Sequence, residues 1–153
     1  LPENGCIISS ISSTVSGEGK TFVGLNLAAA FALSGKRILL MDMDLRKPKF
    51  NMIFPDIPKE KGISTILIGS DMVDDCLIPS GINNLDLLAS GPVPPNPSEL
   101  IMSERSDSLF NDLRSRYDMI FMDTPPVGIV TDGLLVMKKA DIKIIPAANA
   151  VIA

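Results

Sequence analysis

A glycine-rich stretch between two apolar runs constrains the fold of this chain more than any other feature. It reads Thr14-Val15-Ser16-Gly17-Glu18-Gly19-Lys20-Thr21, follows Cys6–Ile11 and leads into Thr21–Ser34. The run before it is short, apolar and β-branched, as in a buried strand, and the run after it is Ala-rich and stops at Gly35, as in a helix. A strand, a glycine loop and a helix in this order form the first unit of an α/β fold, with backbone N–H groups turned towards an anion.

Apolar runs and helical segments alternate along the rest of the chain. The predicted strands are Lys36–Asp42, Leu85–Leu88, Asp118–Asp123 and Ile142–Pro146. The predicted helices are Gly62–Gly69, Asp71–Ile78, Ser98–Arg116 (with Asn96 as N-cap and Pro97 first in the helix) and Thr131–Lys139. Leu45–Lys61 is predicted to be irregular, and Ala147–Ala153 receives no assignment. Continuous apolar strands are typical of a parallel sheet covered on both faces, so we expect a doubly wound α/β domain with a mainly parallel sheet.

Composition narrows the class of protein. The 153 residues predict one domain, and although 46% of them are hydrophobic, no apolar run approaches the roughly 20 residues that span a bilayer. No secretory pattern is visible, so we expect a cytoplasmic protein. Eighteen acidic against 14 basic residues argue against a nucleic-acid surface. The chain has no histidine, which excludes Ser-His catalysis and leaves acid–base chemistry to carboxylates.

The glycine loop matches most of the phosphate-loop (P-loop) signature Gly-x-x-x-x-Gly-Lys-Ser/Thr. Thr14 replaces the first glycine, while Gly19, Lys20 and Thr21 are present. We expect Lys20 to lie between the β- and γ-phosphates of a nucleotide and Thr21 to offer its hydroxyl to Mg²⁺. The alternative is a flexible Gly/Ser turn with an exposed lysine. The predicted nucleotide-binding residues are Ser16, Gly17, Glu18, Gly19, Lys20, Thr21 and Phe22.

Carboxylates end two of the predicted strands. Asp42 and Asp123 each follow an apolar run, and ligands of parallel α/β sheets bind at the carboxyl ends of strands. If those strands flank the first one, both carboxylates face the loop and can serve Mg²⁺ directly or through water. Asp44 either accepts a proton from an attacking hydroxyl or completes the metal shell, and Arg46 begins a basic run that either guides an acidic substrate or is simply solvated. An ordinary strand-end or exposed carboxylate is the alternative for each aspartate.

Four blocks together resemble a known family. They are Ser16–Thr21, Leu39–Pro48, Gly91–Leu100 and Tyr117–Pro126, in the order and spacing of the bacterial tyrosine kinases of capsular and exopolysaccharide biosynthesis. The resemblance implies a P-loop NTPase of the MinD- and ParA-like branch that uses ATP and Mg²⁺ to phosphorylate protein tyrosines. It assigns catalytic roles to Lys20, Asp42 and Asp44, and Mg²⁺ contacts to Thr21, Asp42 and Asp123. Val15 stands where septum-site and partition ATPases carry a signature lysine, which favours the kinase branch.

The resemblance also implies partners. These are tyrosine-bearing protein substrates, a homo-oligomer and a membrane-anchored polysaccharide co-polymerase or activator, fused or separate, at the inner face of the membrane. The tyrosine-rich tail of the family is missing, and the one tyrosine, Tyr117, is expected to pack at the start of a strand. The later strands and helices of the family are missing too, so residues 1–153 are expected to be one kinase domain that is incomplete on its C-terminal side. The alternatives are a nucleotide-switch ATPase and a non-catalytic regulatory module of the export machinery.

Overall fold

The structure is a computed structural model that describes residues 5–12, 19–126, 131–147 and 150–152. Within these residues the strands are β1 (Ile7–Ile11), β2 (Ile38–Asp42), β3 (Ile78–Pro79), β4 (Leu85–Leu88), β5 (Met119–Asp123), β6 (Ile142–Ala147) and β7 (Ala150–Ile152). The helices are α1 (Lys20–Leu33), α2 (Phe50–Ile53), α3 (Ile63–Leu67), α4 (Val73–Cys76), α5 (Pro97–Ile101), α6 (Glu104–Arg116) and α7 (Thr131–Met137).

The strands form one mixed sheet in the order β3-β4-β2-β5-β1-β6-β7. Its five central strands are parallel, and β3 and β7 pair antiparallel at the two edges. This confirms the predicted doubly wound, mainly parallel α/β fold. The sequence analysis placed both carboxylates at the loop if the strands that end in Asp42 and Asp123 flank β1. This holds only in part, because β5 flanks β1 but β2 does not. Instead β2 lies beside β5, which places Asp42 directly opposite Asp123 in the register.

Helices cover both faces of the sheet. On one face α1 presents small residues, Gly24, Ala28 and Ala32, which are buried at four-residue intervals. A Cβ on Gly24 would lie 2.8 Å from Ile11 Cδ1, so the glycine lets the helix approach β1 closely. The core of the other face combines β-strand residues such as Met41 and Met122 with α3, α5, α6 and α7. The continuous apolar strands follow from this burial on both sides.

Three local predictions were wrong. Ser98–Arg116 is two helices, because the Ser103 hydroxyl accepts a hydrogen bond from Ser106 N (3.2 Å) and starts α6 anew after a turn. Ile78 is not helical but belongs to the edge strand β3. The stretch predicted as irregular contains the short helix α2.

Candidate active site at the carboxyl edge of the sheet

Lys20 and Thr21 meet Asp123 where α1 begins and β5 ends. The Lys20 ammonium forms a buried ion pair with Asp123 Oδ1, and Thr21 Oγ1 donates to Asp123 Oδ2 at 2.6 Å. Gly19, the residue before the helix, has a left-handed backbone (φ 73°) that favours glycine. Burial lowers the pKa of Lys20, and the Asp123 carboxylate opposes this shift. The structure therefore brings together three residues that the sequence predicted to share a site.

The end of β5 is fixed against the end of β1. Both Thr124 N and Thr124 Oγ1 donate to the Ile11 carbonyl, at 3.0 and 2.9 Å. Asp123 pairs with Ile11 in the parallel register. The carboxylate of Asp123 is thereby held at the carboxyl end of β1, the strand that precedes the predicted phosphate loop in the sequence.

Asp42 is fully buried and accepts three backbone hydrogen bonds. Asp44 N donates to its Oδ1 (3.1 Å), and the N–H groups of Lys49 (2.7 Å) and Phe50 (3.1 Å) donate to its Oδ2. Burial raises the pKa of Asp42 to about 7, although these N–H donors lower it. The carboxylate thus holds the start of α2, which explains why a helix forms in a stretch with weak helical pattern.

Asp44 lies two residues further along and is also buried. Its Oδ1 accepts from Lys47 N at 3.0 Å, and its Oδ2 lies 3.4 Å from Lys49 Nζ. The backbone bond closes a tight turn in the loop after β2. Both carboxylates of the predicted pair therefore shape this loop, and Asp42 also lies opposite Asp123 of β5.

A buried carboxylate that the sequence did not mark as functional connects three segments. Asp132, at the start of α7, is 1% exposed, and it accepts from Arg46 Nε and from Ser98 Oγ, both at 2.5 Å. Arg46 follows the Asp42–Asp44 pair, and Ser98 belongs to the proline-rich block that opens α5. We call these three residues the Asp132 cluster. Its only sequence signal was an acidic residue in the first turn of a predicted helix.

The single tyrosine lies away from this edge. Tyr117 precedes β5, whereas Asp123 ends it. Its side chain is buried, and its hydroxyl donates to Asp86 Oδ2 at 2.7 Å. Burial and this hydrogen bond raise the pKa of Tyr117 above its ordinary value. The predicted packing role agrees with these contacts.

The donor set at Asp123 suits Mg²⁺. A hydroxyl and a carboxylate are hard oxygen ligands, and Mg²⁺ in phosphate sites takes one or two protein ligands and keeps its waters. Within the described ranges no group of three or more His, Cys, Asp and Glu side chains is placed to hold a metal. The hydroxyl and carboxylate pair at Asp123 is a smaller ligand set than such a group. Of the predicted loop residues, Ser16, Gly17 and Glu18 lie outside the described residues. The Phe22 side chain is exposed on α1.

Comparisons with known proteins agree with this geometry. A family model described as an AAA domain matches residues 6–153. The tyrosine-protein kinase Wzc of Salmonella typhi is 40% identical over 148 residues, which cover 97% of this chain and 20% of that protein. The kinase domain of the tyrosine kinase ETK of Escherichia coli superposes with a TM-score of 0.88 at 34% identity, covering 95% of this chain and 57% of that one. This chain belongs to the bacterial tyrosine kinase family.

The family assignment confirms the resemblance drawn from the four sequence blocks. The septum-site protein MinD of Pyrococcus horikoshii, solved with Mg-ADP, has a TM-score of 0.76 at 24% identity over 92% of this chain and 57% of its own, a likeness of fold. The chain spans about half the length, or less, of several curated tyrosine-kinase relatives that it matches. Among the described helices, none has the length and apolar character needed to cross a membrane.

Proposed function

We propose that this chain is the catalytic part of an ATP- and Mg²⁺-dependent protein-tyrosine kinase of capsular or exopolysaccharide biosynthesis. The observation that carries the proposal is the meeting of Lys20 and Thr21 on Asp123, with Asp42 beside Asp123 on the neighbouring strand. A family member with its phosphate lysine, hydroxyl and strand-end carboxylates in contact has the parts that phosphoryl transfer needs. Transfer of this kind depends on positioning and electrostatics more than on covalent chemistry.

Each residue then has a defined task. Lys20 and the N–H groups from Ser16 to Phe22 bind the phosphates of ATP, and Lys20 offsets the charge that develops on the γ-phosphate. Thr21, Asp42 and Asp123 would hold Mg²⁺, directly or through water, and the bound ion would add to the neutralisation of phosphate charge. Asp42 or Asp44 accepts the proton of the tyrosine hydroxyl.

We extend the proposal to partners and location. The chain acts at the cytoplasmic face of the membrane with a membrane-anchored polysaccharide co-polymerase or activator, fused or separate. It forms homo-oligomers and phosphorylates tyrosine-bearing proteins. The family resemblance supports these points, and the buried position of Tyr117, the one tyrosine of the sequence, supports an acceptor tyrosine outside residues 1–153.

The test is a transfer assay with labelled ATP and a tyrosine-rich acceptor. We expect phosphotyrosine with the wild type and none with Lys20→Met, while Lys36→Met, which changes an exposed lysine, keeps full activity. Phosphate release without phosphotyrosine would identify a nucleotide-switch ATPase instead. Unchanged nucleotide binding in Lys20→Met would support the non-catalytic regulatory module.

A further inference from the structure

A cavity of about 330 Å³ opens beside Lys20 and Thr21. Its remaining lining residues are Gly19, Phe22, Lys49, Met52 and Ile53. One side of the cavity is therefore the phosphate end of the site, and the other side is a rim of apolar side chains with one lysine. Met52 is 84% exposed and Phe22 is 64% exposed. We call Phe22, Lys49, Met52 and Ile53 the rim.

Exposed apolar residues are common on protein surfaces, so exposure alone shows nothing. The rim differs from ordinary exposed apolar residues because a carboxylate of the site anchors the segment that carries most of it. Lys49 and Phe50 donate their N–H groups to Asp42, and Phe50 is buried and packs edge-on against Phe54, with ring centroids 5.4 Å apart. Met52 and Ile53 belong to the helix that starts at this anchor. The backbone that carries Met52 and Ile53 is thus anchored to the Asp42 carboxylate after β2.

The rim borders the γ-phosphate end of the site. In a phosphate loop the lysine reaches the β- and γ-phosphates. Asp42 and Asp44, the candidates for accepting the hydroxyl proton, are bonded to the same segment that carries Met52. A group resting on the rim therefore lies where the attacking hydroxyl has to arrive. The cavity volume is at the lower end for ligand pockets and leaves room for a single aromatic ring.

We propose that the rim is the docking surface for the acceptor, and that it takes a tyrosine ring flanked by acidic residues. The inference rests on the proposed kinase function. Methionine sulfur makes favourable contacts with aromatic rings, which suits Met52 to this role. Lys49 lies 3.4 Å from Asp44, a pairing that acidic groups of the acceptor can join or replace, and Lys47 adds an exposed cation nearby. The charge and the apolar surface together select an acidic, tyrosine-bearing peptide.

The experiment measures transfer to a random copolymer of glutamate and tyrosine. We expect Met52→Ala to raise the KM for the copolymer about fivefold to tenfold, the loss of one thioether–ring contact with its apolar area. The KM for ATP and the ATP hydrolysis without acceptor stay at wild-type values, because Met52 contacts neither phosphate nor metal ligand in our assignment. Met72→Ala is the matched control, since Met72 is 72% exposed and lies outside the cavity lining. This control changes none of the three quantities.

A second comparison tests whether the charge of the acceptor matters. A copolymer of lysine and tyrosine is expected to be the poorer acceptor for the wild type, and Lys49→Gln should narrow the difference in kcat/KM between the two copolymers.

A raised KM for ATP in Met52→Ala would assign the rim to the nucleotide and overturn the docking role. Altered self-association with an unchanged copolymer KM would assign it to a second copy of the chain and overturn it as well. If wild-type protein forms phosphotyrosine and Met52→Ala matches it in every constant, only the docking inference fails. If the wild type forms none, the kinase function fails with it.

Discussion

Lys20 and Asp123 form a buried ion pair that connects the first residue of α1 to the last residue of β5. Taking two charges out of water is costly, and the cost is offset only while both partners are present. In this chain the pair also gathers Thr21, so one carboxylate holds both residues that are assigned to phosphate and metal. Stability and function are therefore coupled at this point.

The first prediction concerns this coupling. Lys20→Met leaves the Asp123 carboxylate buried without its cation, and Asp123→Asn leaves the ammonium buried without its anion. Each single variant is expected to lower the free energy of unfolding by about 3 kcal/mol or more, whereas the double variant loses less than the sum. Urea unfolding of the four proteins measures this cycle. Strictly additive losses would show that the two charges do not interact in solution.

The second prediction concerns the Asp132 cluster. Arg46→Met leaves the buried Asp132 with the Ser98 hydroxyl as its remaining side-chain partner among the described residues, so we expect the free energy of unfolding to fall. The loop that carries Asp44 also loses its tie to α7, which should lower kcat while the KM for ATP stays unchanged. Lys47→Met, on the same loop with an exposed side chain, is the matched control. Equal effects of the two substitutions would refute a specific role for the cluster.

The third prediction uses the single tyrosine of the chain. An unfolded tyrosine ionises near pH 10, and the folded pKa of Tyr117 is higher, so folding favours the protonated form. The contribution of this group to stability is therefore complete below pH 10 and is lost as the pH rises above it. Phenolate absorbance should appear only together with unfolding. Tyr117→Phe isolates the effect, because the alkaline loss of stability due to this group disappears; a simple titration near pH 10 in folded protein would contradict the prediction.

The fourth prediction tests the close contact between two loops. A Cβ on Gly62 would lie 2.4 Å from the Ala89 carbonyl oxygen and 2.5 Å from Gly91 N, and backbone atoms cannot move aside as a side chain can. Gly62→Ala should lower the free energy of unfolding by about 2–3 kcal/mol or more. Gly81→Ala serves as comparison, since a Cβ there meets nothing within 4 Å and only its positive φ is strained. Thermal or urea unfolding ranks the two, and a larger loss for Gly81→Ala would reverse our interpretation.

Much of the sheet could be predicted because buried parallel strands have continuous apolar sequences. Leu85–Leu88 matches β4 at both ends, and Asp123 ends β5 as expected. The order of the strands could not be predicted, because hydrophobic runs carry no information on which strands are neighbours in the sheet. The adjacency of β2 and β5, which pairs Asp42 with Asp123, is a property of the assembled sheet.

The misses have similar causes. Ser98–Arg116 contains no glycine or proline, so the break at Ser103 depends on a capping hydroxyl that looks like any surface serine in the sequence. The Asp132 cluster joins residues 34 and 86 positions apart, and no local pattern links them. Helix α2 forms because Asp42, at the end of the preceding strand, accepts its first N–H groups, and neither residue shows this contact in the local sequence pattern.

The two-residue strand β3 has a consequence for how molecules of this protein meet in solution. It forms one border of the sheet, and its second residue, Pro79, has no N–H to donate. An incoming strand from another molecule finds too few free backbone groups there to extend the sheet, which is a common protection against fibril-like stacking. On that side, self-association has to use side-chain surfaces, and such contacts can be reversed.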